Sequence, residues 1–340
     1  MHEFKRTNIH KVAELAQVSA MTVTRTFNGS GPVAEKTRAK ILKVASELGY
    51  RPNIMAQSLR SGRTNSVGLL WSLGGPHDSI GVVRNISTRL MNHGYACHVA
   101  DSLSNPEIIK QCLRDFSSRK VDGIIMLCNE DMNSDKEIFS LLLEIAHVVL
   151  VSHAPLHTGF DTLVLSPNRA IREIVDHFVS TGRRKIAFMS RGDHIREHAF
   201  TTQLDFHGLA CSDDSIIHVH NRQNQSKQGI GHVHLDGIKN KFGRNMPFDA
   251  LITPCDESAA AIINYLEELG YKVPQDIAVT GFNNGDMAPY FKPALASVDR
   301  CNQQVADMVE EMLLNRIENP QIPPQSELLE MKFINRRSAG

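Results

Sequence analysis

The sequence predicts an all-α amino-terminal helix-turn-helix head with a hinge helix, followed by an α/β core of two doubly wound parallel-sheet halves. Short helices with one apolar stripe occupy roughly the first 60 residues. From residue 66 onward, short apolar strands alternate with amphipathic helices, which is the pattern of βαβ units. A chain of 340 residues also exceeds what a single core usually holds. Separate domains are therefore expected.

Two helices of the head have the spacing of a helix-turn-helix pair. Residues 9–16, IHKVAELA, place their apolar side chains on one face, and Asn8 is suited to cap the amino end. Ser19 can cap a second helix over residues 20–27, AMTVTRTF. The outward-facing residues near the start of the second helix are Ala20, Met21, Thr24 and Arg25.

A third helix and a hinge helix complete the head. The third helix is predicted over residues 34–48, and Gly49 can end it. After Pro52, a short helix over 53–59 ends in the apolar residue Leu59. An exposed leucine there is suited to act as a wedge between base steps in a minor groove.

The distribution of charge also separates the head from the core, near residue 63. Residues 1–63 carry 11 Lys and Arg but only 4 Asp and Glu, although the whole chain has a net charge of zero. A basic head on an acidic body is the footprint of a nucleic-acid-binding module. Charge alone is equally compatible with a basic segment that is solvated and binds no partner.

The head resembles the LacI/GalR family of bacterial regulators, over IHKVAELAQVSAMTVTRTFNG and VAEKTRAKILKVASELGYRPNIMAQSLRSGRTNSVGLL. The resemblance implies that Ala20, Met21 and Arg25 read bases in a major groove. It also implies that Thr22 and Asn28 contact phosphate and that the hinge helix enters the minor groove. The predicted DNA-binding residues are Ser19, Ala20, Met21, Thr22, Thr24, Arg25, Asn28, Asn53, Ala56 and Leu59.

The resemblance continues more loosely through the core and implies a periplasmic-binding-protein-like fold with a ligand cleft between the two halves. A DNA-binding domain is expected over residues 1–52, a hinge helix and linker over 53–65, and an effector-binding and dimerisation core over 66–340. Within the core, the first half is predicted at about 66–164 and 297–326, and the second at about 165–296 and 327–340.

The family's effector positions differ in this sequence. The arginine of the family's R-x-x-G-F motif falls near Thr201 or Thr202, the asparagine of its Asn-Asp pair is Cys255, and the aspartate of its G-[YF]-D-[ND] motif is Asn283. Charged groups usually hold sugar hydroxyls, so these replacements predict either a different effector or a lost pocket. The predicted effector-binding residues are Trp71, Thr202, Cys255, Asp256 and Asn283.

Other patterns do not indicate an enzyme, a cofactor or a metal. Trp71 is predicted either to stack on a ligand or to pack at a strand end. Cys255 has no histidine that can be placed beside it, so no catalytic residue is predicted. The histidines lack a completing cysteine, so no metal site is predicted, and the alternating pairs are interpreted as solvent faces of strands or loops. His194 and His198 lie four residues apart, and the alternating pairs are His218 with His220 and His232 with His234.

These observations predict a homodimeric regulator, a repressor, that binds a palindromic operator and a small-molecule effector such as a sugar or sugar acid. Two alternatives stay open. One is the same DNA-binding role with a degenerate pocket switched by a protein partner, and the other is a cytoplasmic small-molecule-binding protein. No apolar stretch of 18 residues and no secretory signal is found, and the six cysteines form no C-x-x-C motif. A cytoplasmic protein with reduced thiols and no membrane partner is expected.

Overall fold

The computed structural model describes residues 8–28, 31–51, 62–71, 79–102, 105–128, 135–156, 159–219 and 229–340. These form two compact units, Met1–Thr64 and Asn65–Gly340, and each has its own hydrophobic core. The predicted hinge residues Asn53, Ala56 and Leu59 lie outside the described residues. Over the described ranges, no helix is long and apolar enough to cross a membrane.

The head is three packed helices, as predicted. Asn8 caps α1 by accepting a hydrogen bond from the backbone N–H of Lys11. Gln17 ends α1 in the left-handed conformation (φ 57°), which turns the chain toward α2. Val12, Val23 and other side chains from the three helices fill a small apolar core. The helices are α1 (Ile9–Ala16), α2 (Ala20–Asn28) and α3 (Glu35–Glu47).

The core begins with a six-stranded parallel sheet, in the order β11-β5-β4-β3-β1-β2. Its central strands are buried on both faces because helices cover them, as parallel sheets require. The strands are β1 (Ser66–Trp71), β2 (Ala96–Asp101), β3 (Gly123–Leu127), β4 (Val148–Ser152), β5 (Asp161–Ser166) and β11 (Ser326–Glu330). The helices are α4 (Ser79–Asn92), α5 (Pro106–Ser118), α6 (Lys136–Leu143) and α11 (Asn302–Glu318).

A four-stranded parallel sheet, in the order β7-β6-β8-β9, forms the other half. The two halves together confirm the predicted α/β architecture of two parallel sheets. The strands are β6 (Ile186–Ser190), β7 (Ile216–His218), β8 (Ala250–Ile252) and β9 (Ala278–Thr280). The helices are α7 (Asn168–Ser180), α8 (His194–Phe206), α9 (Ile230–Phe242) and α10 (Asp256–Glu268).

A two-stranded antiparallel ribbon, β10 (Ser297–Asp299) with β12 (Lys332–Ile334), joins the halves. β11 pairs with β5 in the first sheet through Glu330. The first half therefore extends about four residues beyond the boundary predicted at 326/327. The larger division at residues 64/65 lies beside the predicted start of the core at 66.

The middle of the second half contains two helices and a strand, α8, α9 and β7, that the sequence pattern did not predict. The interpretation of His232 and His234 as solvent-facing strand or loop residues is wrong. Both lie on α9, where His232 is exposed but His234 is 1% exposed. His220 is outside the described residues.

Candidate DNA-binding and effector sites

The start of α2 is fixed by a local cap. The Ser19 hydroxyl accepts a hydrogen bond from the backbone N–H of Thr22 at 3.1 Å, and the two hydroxyls lie 2.9 Å apart. Val23 is fully buried below them, which anchors the helix to the head. The end of the helix that would meet a DNA groove is therefore held rigidly, as a base-reading surface requires.

The outward face of α2 carries the predicted residues. Met21 is 58% exposed, and Arg25 is exposed one helical turn later. Ala20 packs in part against the head core. Thr24 is half-buried, and its hydroxyl donates to the carbonyl oxygen of Ala20 at 3.0 Å. Asn28 is the last residue of α2.

In the core, Arg196 is a charged side chain that the sequence reasoning missed. It lies in the first turn of α8 and forms an ion pair with Asp193, whose carboxylate is 2.8 Å away. Its guanidinium carbon is 3.6 Å from the centre of the Phe282 ring, the geometry of a cation–π contact. Phe282 follows β9, and Asp193 follows β6, so these side chains lie at the carboxyl edge of the second sheet.

No contact between Thr202 and this group is found among the described residues, and its assignment to the effector set stays a prediction. Thr202 is exposed on α8, next to the buried Gln203 and Leu204. Arg196 stands six residues earlier, at the start of R-E-H-A-F. That segment has the form of the R-x-x-G-F motif with alanine at the glycine position. Allowing alanine there would have found Arg196 from the sequence.

In the first half of the core, His153 also lies at the carboxyl edge of a sheet. It follows β4, and its Nδ1 lies 3.2 Å from the carbonyl oxygen of Leu165. Burial is the largest cause that lowers the pKa of His153 well below its usual value, and the positive charges of Arg300 and Arg196 lower it further. A neutral imidazole bonded to a carbonyl must donate from Nδ1, which leaves Nε2 as an acceptor. A positive charge from the second half of the core therefore contributes to keeping this histidine of the first half neutral.

Both carboxylate oxygens of Asp256 accept hydrogen bonds from within the protein. One of its carboxylate oxygens accepts a hydrogen bond from the Ser297 hydroxyl at 2.5 Å, and the other accepts from the backbone N–H of Gly285 at 2.7 Å. These bonds hold the 281–285 loop, which contains GFNN, against the start of α10. Asp256 therefore holds this loop in place at the carboxyl edge of the second sheet.

The loop itself is held in an unusual backbone conformation. Asn283 and Asn284 both have positive φ, 108° and 52°. The Asn284 side chain donates to Asp299 at 3.1 Å and accepts from Arg336 at 2.6 Å. Asn283 is 7% exposed, and no hydrogen bond of its side-chain amide is found among the described residues. The conformation of the loop is thus held by the side chain of Asn284.

Cys255 is linked to a histidine, His234, through the hydroxyl of Ser258. Its sulfur lies 2.9 Å from the Ser258 hydroxyl, which in turn contacts Nδ1 of His234. Burial is the main cause that raises the pKa of Cys255 to about 12 and lowers that of His234 to about 4. A thiol and a neutral imidazole are therefore expected at neutral pH, whereas nucleophilic chemistry needs the thiolate.

Trp71 is fully buried at the end of β1, within the main core cluster. Its indole Nε1 has no hydrogen-bond partner among the described residues. This burial favours the packing interpretation over stacking on a ligand.

Asp256 gives a pH-dependent prediction. Burial is the largest cause that raises its pKa from 3.8 to about 6, with a contribution from Glu257. Because the folded pKa is the higher one, the stabilising contribution is complete below pH 3.8 and is lost as the pH rises through about 6. The difference corresponds to about 3 kcal/mol. Asp256→Asn, which stays neutral, is therefore expected to remove most of this decline.

The measurement is urea unfolding at several pH values between 4 and 8 for both proteins. Asp213→Asn, at an exposed position, is the control and should keep the slope of the natural chain. Parallel pH profiles for the Asp256→Asn and natural proteins would contradict the assignment.

Comparison with sequence families matches both units. Residues 8–53 match the family described as "Bacterial regulatory proteins, lacI family", and residues 175–339 match "Periplasmic binding protein-like domain". Similar curated proteins include an HTH-type transcriptional regulator of Lachnoclostridium phytofermentans (23% identical, covering 86% of this chain and 87% of that protein). The HTH-type transcriptional repressor PurR of Photobacterium profundum is 25% identical, with 92% of each chain covered.

Solved structures show the same fold. The Lac repressor dimer bound to operator and the anti-inducer ONPF superposes with a TM-score of 0.83 at 20% identity, covering 98% of this chain and 99% of that one. A LacI-family regulator from Silicibacter pomeroyi gives a TM-score of 0.76 at 25% identity, covering 98% and 99%.

A helix-turn-helix head joined to a periplasmic-binding-protein-like core defines a DNA-binding transcriptional regulator rather than an enzyme. The chain belongs to the lacI family of bacterial regulatory proteins.

Proposed function

We propose that this regulator is a repressor that binds a palindromic operator as a homodimer and responds to a small polyhydroxylated effector, a sugar or sugar acid, in the core cleft. The observation that carries the proposal is the outward face of α2, where Met21 and Arg25 are exposed on a helix whose start is capped and anchored. Such a helix fits a major groove. The names of relatives support repression, and operator binding suits a cytoplasmic location.

Arg25→Ala is expected to weaken specific operator binding by about 10-fold to 100-fold, because a guanidinium can form two hydrogen bonds with guanine. The measurement is a gel shift or anisotropy titration at fixed salt, with an operator selected from random duplexes. Lys43→Ala removes the same charge from an exposed position on α3 and is the matched control.

The Lys43→Ala variant should lose much less affinity for the operator than Arg25→Ala does. Equal losses would mean that Arg25 contributes only its charge. Specific binding that survives deletion of residues 1–62 would contradict the DNA-binding role of the head.

Dimer formation is supported by exposed apolar side chains on the first half of the core. Ile80 and Met91 lie on the same side of α4, three turns apart, and are 55% and 66% exposed. Val99, on the edge strand β2, is 46% exposed. Exposed apolar side chains such as these are what an interface between subunits would cover. A strictly monomeric protein in sedimentation experiments would contradict the homodimer.

The effector site is supported by groups that suit hydroxyls. Arg196 supplies donors, Asp193 supplies acceptors, and the neutral His153 offers a further acceptor from the opposite half. Two charged side chains, Arg196 and Asp193, are therefore available to an effector, although Thr202, Cys255 and Asn283 stand at the family positions compared in the sequence analysis.

A thermal-shift screen of sugars and sugar acids tests the effector proposal. A ligand at 100 times its dissociation constant adds about 2.7 kcal/mol to stability. The stabilisation should disappear in Arg196→Ala. If no compound stabilises a chain that still binds operator, switching by a protein partner is favoured instead.

A further inference from the structure

The hydroxyl groups at and within α2 offer DNA few free hydrogen-bond donors. The Thr24 hydroxyl donates to the carbonyl oxygen of Ala20, and the hydroxyls of Ser19 and Thr22 bond to each other. Thr26 is 4% exposed, and its hydroxyl donates to the carbonyl oxygen of Thr22 at 2.9 Å. Most of these hydroxyl hydrogens are therefore already donated within the head, so the hydroxyls can still accept from a base but offer it few donors.

Apolar side chains occupy the start of the exposed face of α2. Met21 is 58% exposed, and Ala20 beside it is held against the head core. Neither side chain has a hydrogen-bond donor or a strong acceptor, so neither can match the polar pattern of a base edge. The apolar feature that a major groove presents is the C5-methyl group of thymine.

We infer that Ala20 and Met21 select thymine at the base pairs opposite the start of α2, through contact with its methyl group. The two side chains differ in how they suit this task. Ala20 is short and fixed, which permits close approach, whereas the flexible thioether of Met21 can adapt its shape to a methyl group. The inference rests on the proposed operator binding and specifies what part of the operator is read.

The test uses the full-length chain and an operator selected from random duplexes. Each thymine of a half-site is replaced singly by deoxyuridine, which lacks only the methyl group. At the positions opposite Met21, the natural chain is expected to lose about threefold to fivefold in affinity, the effect of exposing one buried methyl. Met21→Ala should bind the thymine operator more weakly and should show no further loss with deoxyuridine.

Two controls separate methyl recognition from other effects. Leu42→Ala removes an apolar side chain that is 45% exposed on α3, and it should keep the full sensitivity to deoxyuridine. Replacing the T·A pair with C·G should weaken binding, and 5-methylcytosine in that pair should restore part of the loss, because it returns the methyl group.

The outcomes are distinguishable from failure of the proposed function. A selected operator whose affinity does not change with deoxyuridine, or a Met21→Ala variant that remains fully sensitive, would overturn this inference and leave operator binding intact. Equal binding of all duplexes, with no selected sequence, would instead overturn the proposed function.

Discussion

Asp161→Ala is expected to lower the free energy of unfolding of the core by about 3 kcal/mol, because it leaves a buried arginine without its counterion. Arg316 donates from Nε and Nη2 to the two carboxylate oxygens of Asp161, at 2.8 and 2.7 Å. The two side chains are 11% and 3% exposed. This is a bidentate pair removed from water, unlike a surface ion pair.

The pair also joins three segments of the first half. Asp161 begins β5, and Arg316 is in the last turn of α11. The backbone N–H of Gln325 donates to Asp161 at 2.8 Å, and Arg316 donates to the carbonyl oxygen of Ile322 at 2.5 Å. Loss of the carboxylate therefore also releases the segment that leads into β11.

Urea unfolding followed by circular dichroism measures the effect. Asp115→Ala breaks an ion pair with Arg119 in which both side chains are about half exposed, and it should leave the midpoint unchanged. Arg316→Lys keeps the positive charge but loses the paired N–H donors of the guanidinium. Its urea midpoint should therefore fall between those of Asp161→Ala and the natural chain. Equal midpoints for Asp161→Ala and Asp115→Ala would contradict the prediction.

The sequence predicted the elements whose apolar side chains follow a clear period. Residues 106–118, for example, carry apolar side chains at helical spacing and form the helix Pro106–Ser118, with Asn105 as its cap and one apolar face buried. The missed helices lack that signal. In α8 the buried positions include Gln203, and in α9 they include His234, so polar residues interrupt the apolar stripe. Periodicity cannot identify a buried face that is partly polar.

The effector cleft was predictable only in part. The sequence singled out Asp256 and Asn283 as effector-binding residues, which stays a prediction, and the role of Asp256 in holding the 281–285 loop depends on Ser297, which is 41 residues away. His153 had no local signal, because its bond to the carbonyl oxygen of Leu165 depends on the pairing of β4 with β5. A single sequence gives residue types and spacing, whereas these contacts are set by the packing of distant segments.

Gly281→Ala is the second change expected to have a large effect, since the glycine of GFNN faces the carboxylate that holds the loop. A Cβ at position 281 would lie 2.1 Å from Oδ1 of Asp256 and 3.1 Å from Leu295. Asp256 cannot move away without breaking its bonds to Ser297 and Gly285. Overpacking of this kind is expected to lower the free energy of unfolding by about 2 to 3 kcal/mol.

The matched control lies in the same loop. A Cβ at Gly285 would lie 3.5 Å from the other carboxylate oxygen of Asp256, an ordinary contact, so Gly285→Ala should change the unfolding midpoint little. Asp256→Ala should reduce the further cost of Gly281→Ala, because it removes the atom that clashes. Urea unfolding of the two single variants and the double variant measures this coupling. Additive losses would mean that glycine is required at position 281 by Leu295 or by the Cα atom of Asp256, each 3.1 Å from the added Cβ, rather than by the carboxylate.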